Sequence, residues 1–333
     1  MTVARGPARP AGGAPPARGR GRHAGSAGPA VRPRRPGTPG AATGGQGDAR
    51  PAGVLERARA ALAVSPLTCA GLAIIVVIAL FSFGGPLFYH WDATQVHLAL
   101  ANRPPGSGHP LGTDADGVDI LGQLMAGGQI SLEAGVAAGV LAAVVGSLWG
   151  AVAGYLGGAV DAIMMRIVDA AIAIPSLVLL LLLVTIYTPS AWVLVVVIAA
   201  TSWLGTSRLV RAEALTLRVR EYVQVVRVMG GGDVRSILRH IAPNAAGTIA
   251  VNVTFQVANA ILTLATLSYL GLGVQPPSVD WGDIIGSGIQ YIDLNYWWQI
   301  YPAGLAIVAV VVAFTMLGDG LRDTLAPSAD PRR

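Results

Sequence analysis

The sequence predicts an all-α integral membrane protein with six transmembrane helices. Of its 333 residues, 53% are hydrophobic and only 12% are charged, whereas about 25% are charged in a typical soluble domain. Apolar runs that carry almost no charge recur along the chain, and several reach the length that crosses a bilayer as a helix. Arginine is concentrated in alternate polar segments between these runs, which is typical of a chain that crosses a membrane repeatedly.

Lysine is absent from the chain, so all 23 basic residues are arginine. A P-loop nucleotide site needs a lysine on the phosphates. Any ATP must therefore be bound and hydrolysed by another chain, and we expect no cofactor here. The single cysteine, Cys69, excludes an internal disulfide and a multi-cysteine metal site.

Residues 1–65 are predicted to be a cytoplasmic tail rich in arginine, proline and glycine. Residues 1–53 have almost no large apolar side chains, so we expect them to be disordered. Residues 54–64 fit a short amphipathic helix at the membrane surface. An arginine-rich, acid-poor segment is also typical of organelle transit peptides, but a cytoplasmic tail is the preferred interpretation.

Six apolar runs are predicted to span the membrane, at about residues 67–83, 131–155, 169–187, 191–204, 247–269 and 300–317. The second run carries small residues at every fourth position: Ala138, Ala142, Gly146, Gly150 and Gly154. Such a face lets two helix backbones approach closely, so we interpret it as a packing feature. The third run contains Pro175, and the short fourth run continues into the polar region that follows it.

Two polar loops are predicted on the external side, at about residues 84–130 and 271–299. The first contains three histidines and several aspartates, but their spacing matches no ligand motif. We therefore favour a solvated loop and expect no metal site. The second loop contains aspartates and no basic residue.

Arginine counts give the orientation. Eleven arginines precede the first span and seven lie between the fourth and fifth, whereas the loops after the first and fifth spans have one and none. The positive-inside rule therefore places both termini, and residues 205–245, in the cytoplasm. We expect a multi-pass protein of the plasma membrane.

Residues 221–244 read as two short cytoplasmic helices joined by a glycine turn. Residues 230–232 are all glycine and would end the first helix. Asp233 is a plausible N-cap of the second helix, and Pro243 marks its end or the start of the next helix. The first helix is polar on one stripe and apolar elsewhere, so it fits either a groove in a partner or a hairpin packed on its own protein.

The fifth run contains a polar stripe along one face, formed by Asn252, Gln256, Asn259, Thr263 and Thr266. Amides at membrane depth usually face the bundle interior or a water-filled path. We predict that Asn252, Gln256 and Asn259 line a translocation path. Hydrogen bonding between helices is the alternative interpretation.

Residues 221–244 also resemble the coupling motif of ABC importer permeases, which usually reads EAA, then a glycine, then Ile-x-Leu-Pro. Gly230 and the run 239–244, RHIAPN, match that pattern closely. The departures are Gln224, Val225 and Val226 in place of Glu-Ala-Ala, and Ala242 in place of leucine.

Further motifs resemble the C-type subunit of the dipeptide, oligopeptide and nickel permeases. They are HPLGTD at 109–114, GYLGG at 154–158, RLVR at 208–211, YLGLGVQPP at 269–277 and GDGLRD at 318–323. The resemblance covers about residues 66–327. Val118, where the family commonly has arginine, and Leu264, where it often has glutamate, depart from the pattern.

The resemblance implies a type I (MetI-like) ABC importer permease fold over residues 66–325, with cytoplasmic coupling helices at 220–244 and a short tail at 326–333. It implies a B-type permease partner, two ABC ATPase subunits that bind ATP, and an extracytoplasmic substrate-binding protein. Membrane lipids are the remaining partner, and no nucleic acid is expected. The residues assigned to ATPase coupling are Tyr222, Gln224, Val225, Val226, Gly230, Asp233 and Pro243.

The resemblance also implies transport rather than enzymatic chemistry. Peptides or similar small solutes are the expected substrates, with nickel or another solute as the alternative. A secondary transporter acting alone is disfavoured, because the ionisable residues of the spans lie near the span ends. A scaffolding membrane subunit stays open because of the altered Glu-Ala-Ala positions.

Overall fold

The computed structural model describes residues 66–90, 96–186, 190–220 and 242–325. Within these residues it contains helices and two isolated β-bridges but no β-strand, so the predicted all-α class is confirmed. The predicted tails at 1–65 and 326–333, and residues 221–241 of the predicted coupling helices, lie outside the described residues.

Eight helices are numbered here in chain order: α1 Pro66–Phe88, α2 Ile120–Leu156, α3 Gly158–Ile172, α4 Ser176–Ile186, α5 Ala191–Leu217, α6 Ala242–Tyr269, α7 Trp281–Gly288 and α8 Tyr301–Leu325. By length and composition, five of them could cross a bilayer alone, and the number is six if the bent pair of α3 and α4 forms one span. The count of six predicted from the sequence agrees with the latter number.

The second span begins earlier than predicted, at Ile120 instead of residue 131. Asp119 caps the helix by accepting a hydrogen bond from the backbone nitrogen of Gly122 at 2.8 Å. Gly127 and Gly128 lower the apolar character of this stretch, but both are buried. A Cβ on Gly128 would lie 2.9 Å from the ring of Trp281, so these glycines admit a neighbour's side chain and do not end the helix.

The third span is not the continuous helix predicted over 169–187. It is broken between α3 and α4, and the two helices meet at 82°. Pro175 lies in the break. Proline has no backbone N–H and its ring clashes with the preceding turn, so the chain turns sharply there. The fourth span is longer than predicted, because α5 continues through the polar residues to Leu217.

The predicted small-residue face of α2 is confirmed as a packing surface. Ala138 and Ala142 are fully buried, and the glycines further along face α5. A Cβ on Gly154 would lie 2.7 Å from the carbonyl oxygen of Arg211. The two backbones therefore approach as closely as glycine allows.

Two apolar clusters hold the bundle together. The first joins α2, α4, α5 and α6, with Leu180, Leu194 and Leu264 among its buried side chains. The second joins α2, α6, α7 and α8 around Trp281, which is fully buried. Helices α2 and α6 contribute to both clusters and are therefore the central helices of the described bundle.

Candidate functional site

The predicted coupling residues Tyr222, Gln224, Val225, Val226, Gly230 and Asp233 lie outside the described residues. Pro243 is described and occupies the first turn of α6, where its side chain is exposed. Proline is compatible with a first helical turn because the N–H it lacks would have no intrahelical partner there. Pro243 therefore marks the start of the next helix, one of the two positions predicted for it.

The two helices that flank residues 221–241 are packed together at their ends. Ala214 and Leu217 of α5 and Ala245 of α6 are buried in one cluster with Tyr155 of α2. Arg218, just beyond α5, donates a hydrogen bond from Nη1 to the carbonyl oxygen of Gly154 at 3.2 Å. The ends of α5 and α6 that border residues 221–241 are therefore both packed on α2.

The first two amides of the polar stripe bind α5. Thr206 donates its hydroxyl hydrogen to Oδ1 of Asn252 at 2.7 Å. Gln256 is buried and donates from Nε2 to Oγ1 of Thr206 at 2.8 Å and to the carbonyl oxygen of Ser202 at 2.6 Å. These contacts are hydrogen bonds between helices, and they fix α6 against α5.

The remaining members of the stripe do not join that network. Asn259 is exposed on the surface of this chain. The hydroxyls of Thr263 and Thr266 donate to carbonyl oxygens one turn earlier in α6, at 2.8 Å each. The predicted path residues thus divide into Asn252 and Gln256, which contact α5, and Asn259, which is open to a neighbour or to water.

The family departures at Leu264 and Val118 both fall on buried positions. Leu264 is 1% exposed and packs in the cluster of α2, α4, α5 and α6. Val118 is 9% exposed, and its backbone nitrogen donates to Oδ1 of Asp114 at 2.8 Å. An apolar side chain suits each of these surroundings.

The loop before α2 is ordered by its polar side chains. Asp119 caps α2 and also pairs with Nδ1 of His109 at 3.0 Å. Asp114 accepts hydrogen bonds from the backbone nitrogen of Asp116 at 2.9 Å and from the side-chain amide of Gln123. Burial raises the pKa of Asp114 above its usual value. Among the described residues, no group of three or more His, Cys, Asp or Glu could hold a metal ion.

The loop after α6 folds onto this first loop. Asp280 caps α7 by accepting from the backbone nitrogens of Gly282 and Asp283, and it accepts the hydroxyl hydrogen of Ser268 at 2.6 Å. Gln299 donates to Oδ1 of Asn102 at 2.7 Å, and the Trp298 indole donates to the carbonyl oxygen of Thr113 at 3.1 Å. The two loops therefore form one folded cap at this end of the bundle.

Sequence reasoning missed α7 and the burial of its cap residue. Burial raises the pKa of Asp280, although its hydrogen bonds oppose that shift. Burial, and then the charge of Asp280, raises the pKa of Asp283 to about 6.

The sequence does contain a signal for α7. An aspartate followed by apolar residues at helical spacing (Trp281, Ile284, Ile285) is typical of a helix start.

The fold and the site define a multi-pass helical membrane protein of the transport type. Several helices long enough to cross a bilayer pack around α2 and α6. Helix α6 carries amides within its apolar length, and such groups usually mark a bundle interior or a substrate path.

Comparison with known proteins gives the family. Residues 146–330 match the model of the binding-protein-dependent transport system inner membrane component. The chain is 37% identical over 261 residues to the oligopeptide transport system permease protein OppC of Bacillus subtilis strain 168, with 78% of this chain and 85% of the relative covered. It is 39% identical over 260 residues to OppC of Escherichia coli strain K12, with 78% and 86% covered. It is 35% identical over 261 residues to the dipeptide transport system permease protein DppC of Bacillus subtilis strain 168, with 78% and 82% covered.

The chain therefore belongs to the family of binding-protein-dependent transport system inner membrane components. The predicted resemblance to the C-type permeases of ABC importers is confirmed, as is the predicted permease fold.

Proposed function

We propose that this chain is the C-type permease subunit of an ABC importer that moves peptides across the plasma membrane. The observation that carries the proposal is the alignment, over most of both chains, with relatives named as oligopeptide and dipeptide transport permeases. The bundle supports it, because α6 is held by packing and hydrogen bonds on one side and presents Asn259 on another.

The partners we propose are a B-type permease subunit, two ABC ATPase subunits and an extracytoplasmic substrate-binding protein. The absence of lysine supports separate ATPase subunits, since a P-loop cannot be built here. The description of the matched family as binding-protein-dependent supports the external partner. This chain then binds no ATP and performs no chemistry on the substrate.

Both termini, and residues 205–245, lie in the cytoplasm in this proposal. Arg208, Arg211, Arg218 and Arg220 lie at the end of the bundle where α5 ends. The folded cap at the other end contains a single arginine, Arg103. That asymmetry supports the orientation under the positive-inside rule.

Coupling to ATP runs through residues 221–241 in the proposed mechanism. The predicted first helix, around residues 222–229, would seat in a groove of the ATPase through Tyr222, Gln224, Val225 and Val226. Gly230 would permit the turn that follows it. Asp233 begins the second helix, and Pro243 begins α6. ATP can shift the spans only if the ATPase contact differs between the inward-facing and outward-facing states. A movement of the coupling segment would then reach the bundle through the packed ends of α5 and α6.

The translocation path is proposed to follow the polar stripe of α6. Asn259 supplies a carboxamide that can donate to and accept from the amide groups of a peptide. Asn252 and Gln256 continue the stripe and hold α6 in place through Thr206. One face of α6 is then fixed against α5, and the exposed face that carries Asn259 borders the path.

The test is ATP-driven uptake by the complete complex in liposomes. The two permeases and two ATPases are reconstituted, and uptake of labelled dipeptides and longer peptides is measured with the binding protein and ATP present. Competition by unlabelled peptide, but not by a nickel chelate, is expected. Gly230→Pro should abolish substrate-stimulated ATP hydrolysis while membrane insertion is retained. Unchanged stimulation would remove the assigned role of the coupling segment.

A further inference from the structure

A bidentate ion pair joins helix α3 to α5. Arg211 of α5 contacts Asp161 of α3 through Nε to Oδ1 at 2.5 Å and through Nη2 to Oδ2 at 2.7 Å. A guanidinium that engages both carboxylate oxygens fixes relative orientation as well as distance. The side chain of Asp161 is 13% exposed and that of Arg211 is 34% exposed, so the pair is partly shielded from solvent.

A second ion pair joins the same two helices further along. Nη2 of Arg208 lies 2.6 Å from Oδ1 of Asp169, and both side chains are about half exposed. Asp161 and Asp169 are roughly 12 Å apart along α3 at the usual helical rise. The two ion pairs therefore hold α3 against α5 at two separate points along its length.

Apolar packing contributes little to this attachment. Within α3, all of which the structure describes, Val168 is the only buried residue. Trp149 of α2 adds a long hydrogen bond to the carbonyl oxygen of Met164 at 3.4 Å. The ion pairs are therefore the main specific polar contacts between α3 and α5.

Helix α3 is bounded at both ends by points where the backbone can turn. Gly157 precedes it and Gly158 begins it, with φ of 66° and 56°, a region that favours glycine. The break at Pro175 follows it, with an angle of 82° to α4. Helix α4 in turn is packed in the core through Leu180 and Val184.

We propose that Asp161, Asp169, Arg208 and Arg211 are positioning residues that make α3 a second arm of ATP coupling. A displacement that enters α5 from the coupling segment is passed through the ion pairs to α3, and across the break to α4. The residues act by making α3 and α5 move together. This inference rests on the proposed function, because it requires ATP-driven motion of the bundle.

The experiment compares variants of the reconstituted complex by peptide uptake per ATP hydrolysed. Asp161→Asn and Arg211→Gln should each lower that ratio at least about fivefold, the lower end of usual coupling between sites. The double exchange Asp161→Arg with Arg211→Asp should restore it. Arg166→Gln is the matched control, because Arg166 lies exposed on α3 and makes no ion pair within the described part of the chain.

A purely structural role would lower the amount and thermal stability of the complex without changing uptake per ATP. Asp169 and Arg208 are both about half exposed, so replacing Asp169 leaves no buried charge unpaired and gives a second test. Asp169→Asn should also lower peptide uptake per ATP, by less than Asp161→Asn does. An unchanged ratio in both aspartate variants would overturn the inference while leaving the proposed function intact. Absence of uptake by the wild-type complex would overturn both.

Discussion

The indole nitrogen of Trp281 donates a hydrogen bond to the carbonyl oxygen of Leu124 at 2.9 Å, although 157 residues separate the two in sequence. The backbone nitrogen of Trp281 also donates to Oγ of Ser131 at 3.2 Å. The ring is fully buried beside Gly127 and Gly128. These contacts join the loop after α6 to the first turns of α2, so the folded cap is part of the bundle.

Trp281→Ala should therefore destabilise the permease by about 3–5 kcal/mol, the usual cost of removing a buried aromatic ring. The loss has two parts, the cavity beside the two glycines and the lost hydrogen bond from the indole to the carbonyl oxygen of Leu124. The measurement is thermal unfolding of the detergent-solubilised protein. Trp192→Ala is the control, because Trp192 is 75% exposed at the start of α5. Equal losses in the two variants would show that the cap does not support the bundle.

The close approach of α2 and α5 gives a prediction about glycine. A Cβ on Gly150 would contact the carbonyl oxygen of Ser207 and lie 2.8 Å from the backbone nitrogen of Arg211. Gly205 lies in α5 with open space at its Cβ position. Alanine in a helix is favoured over glycine by up to about 1 kcal/mol. Gly205→Ala should therefore be neutral or stabilising, whereas Gly150→Ala should lower the melting temperature.

The two substitutions are chemically the same, so the contrast isolates the space available at each position. Melting temperatures of the purified protein in one detergent give the comparison. If both variants shift in the same direction by the same amount, helix propensity and not backbone contact controls stability at Gly150.

Much of this fold could be predicted because membrane insertion leaves a strong mark on sequence. The apolar runs gave six spans, and the four-residue spacing of Ala138, Ala142 and the glycines gave the face that meets α5. Both signals depend on local composition and helical period. Neither requires knowledge of a distant partner.

The parts that could not be predicted depend on such partners. Gly127 and Gly128 read as loop residues until Trp281, far along the chain, fills the space beside them. The polar stripe of α6 looked uniform, yet Thr206 binds Asn252 and Gln256 and leaves Asn259 open. Pro175 was noted in a span, but a proline in the sequence does not give the angle of the break, which is 82° here.

The cap also predicts a pH dependence. The pKa of Asp283 is raised from 3.8 to about 6 by burial and by the charge of Asp280. Between those values the folded state holds more protons than the unfolded state. Protonated Asp283 therefore favours the folded state at low pH, and the stability of the fold falls as the pH rises through that window. Above it, the folded protein keeps the cost of an ionised, desolvated carboxylate.

Asp283→Asn removes that cost, so it should raise the melting temperature at about pH 7.5 and have little effect at about pH 4. Melting curves of wild type and variant across this range give the test. Asp293→Asn is a control in the same loop, because Asp293 is exposed. A pH-independent difference between wild type and Asp283→Asn would show that the carboxylate is not responsible.

The two parts of the polar stripe should respond differently to the same substitution. Gln256→Leu removes two hydrogen bonds from Gln256 to α5, each with a net value of about 1 kcal/mol. It should lower the melting temperature of the complex. Asn259→Leu removes a carboxamide from an exposed position of the same helix. It should leave assembly and melting temperature unchanged, because no described hydrogen bond joins the Asn259 side chain to α5. It should alter peptide uptake, because the proposed path places the lost carboxamide against the substrate.

Uptake kinetics of Asn259→Leu in liposomes test whether Asn259 lines the path, with the amount of complex measured in the same preparation. A change in the peptide concentration that gives half-maximal uptake, at normal complex yield, assigns Asn259 to the path. Normal kinetics would instead place the exposed amide against the second permease or lipid. Gln256→Leu serves as the internal comparison, since its effect on stability reports the contact with α5 whether or not Gln256 also meets the substrate.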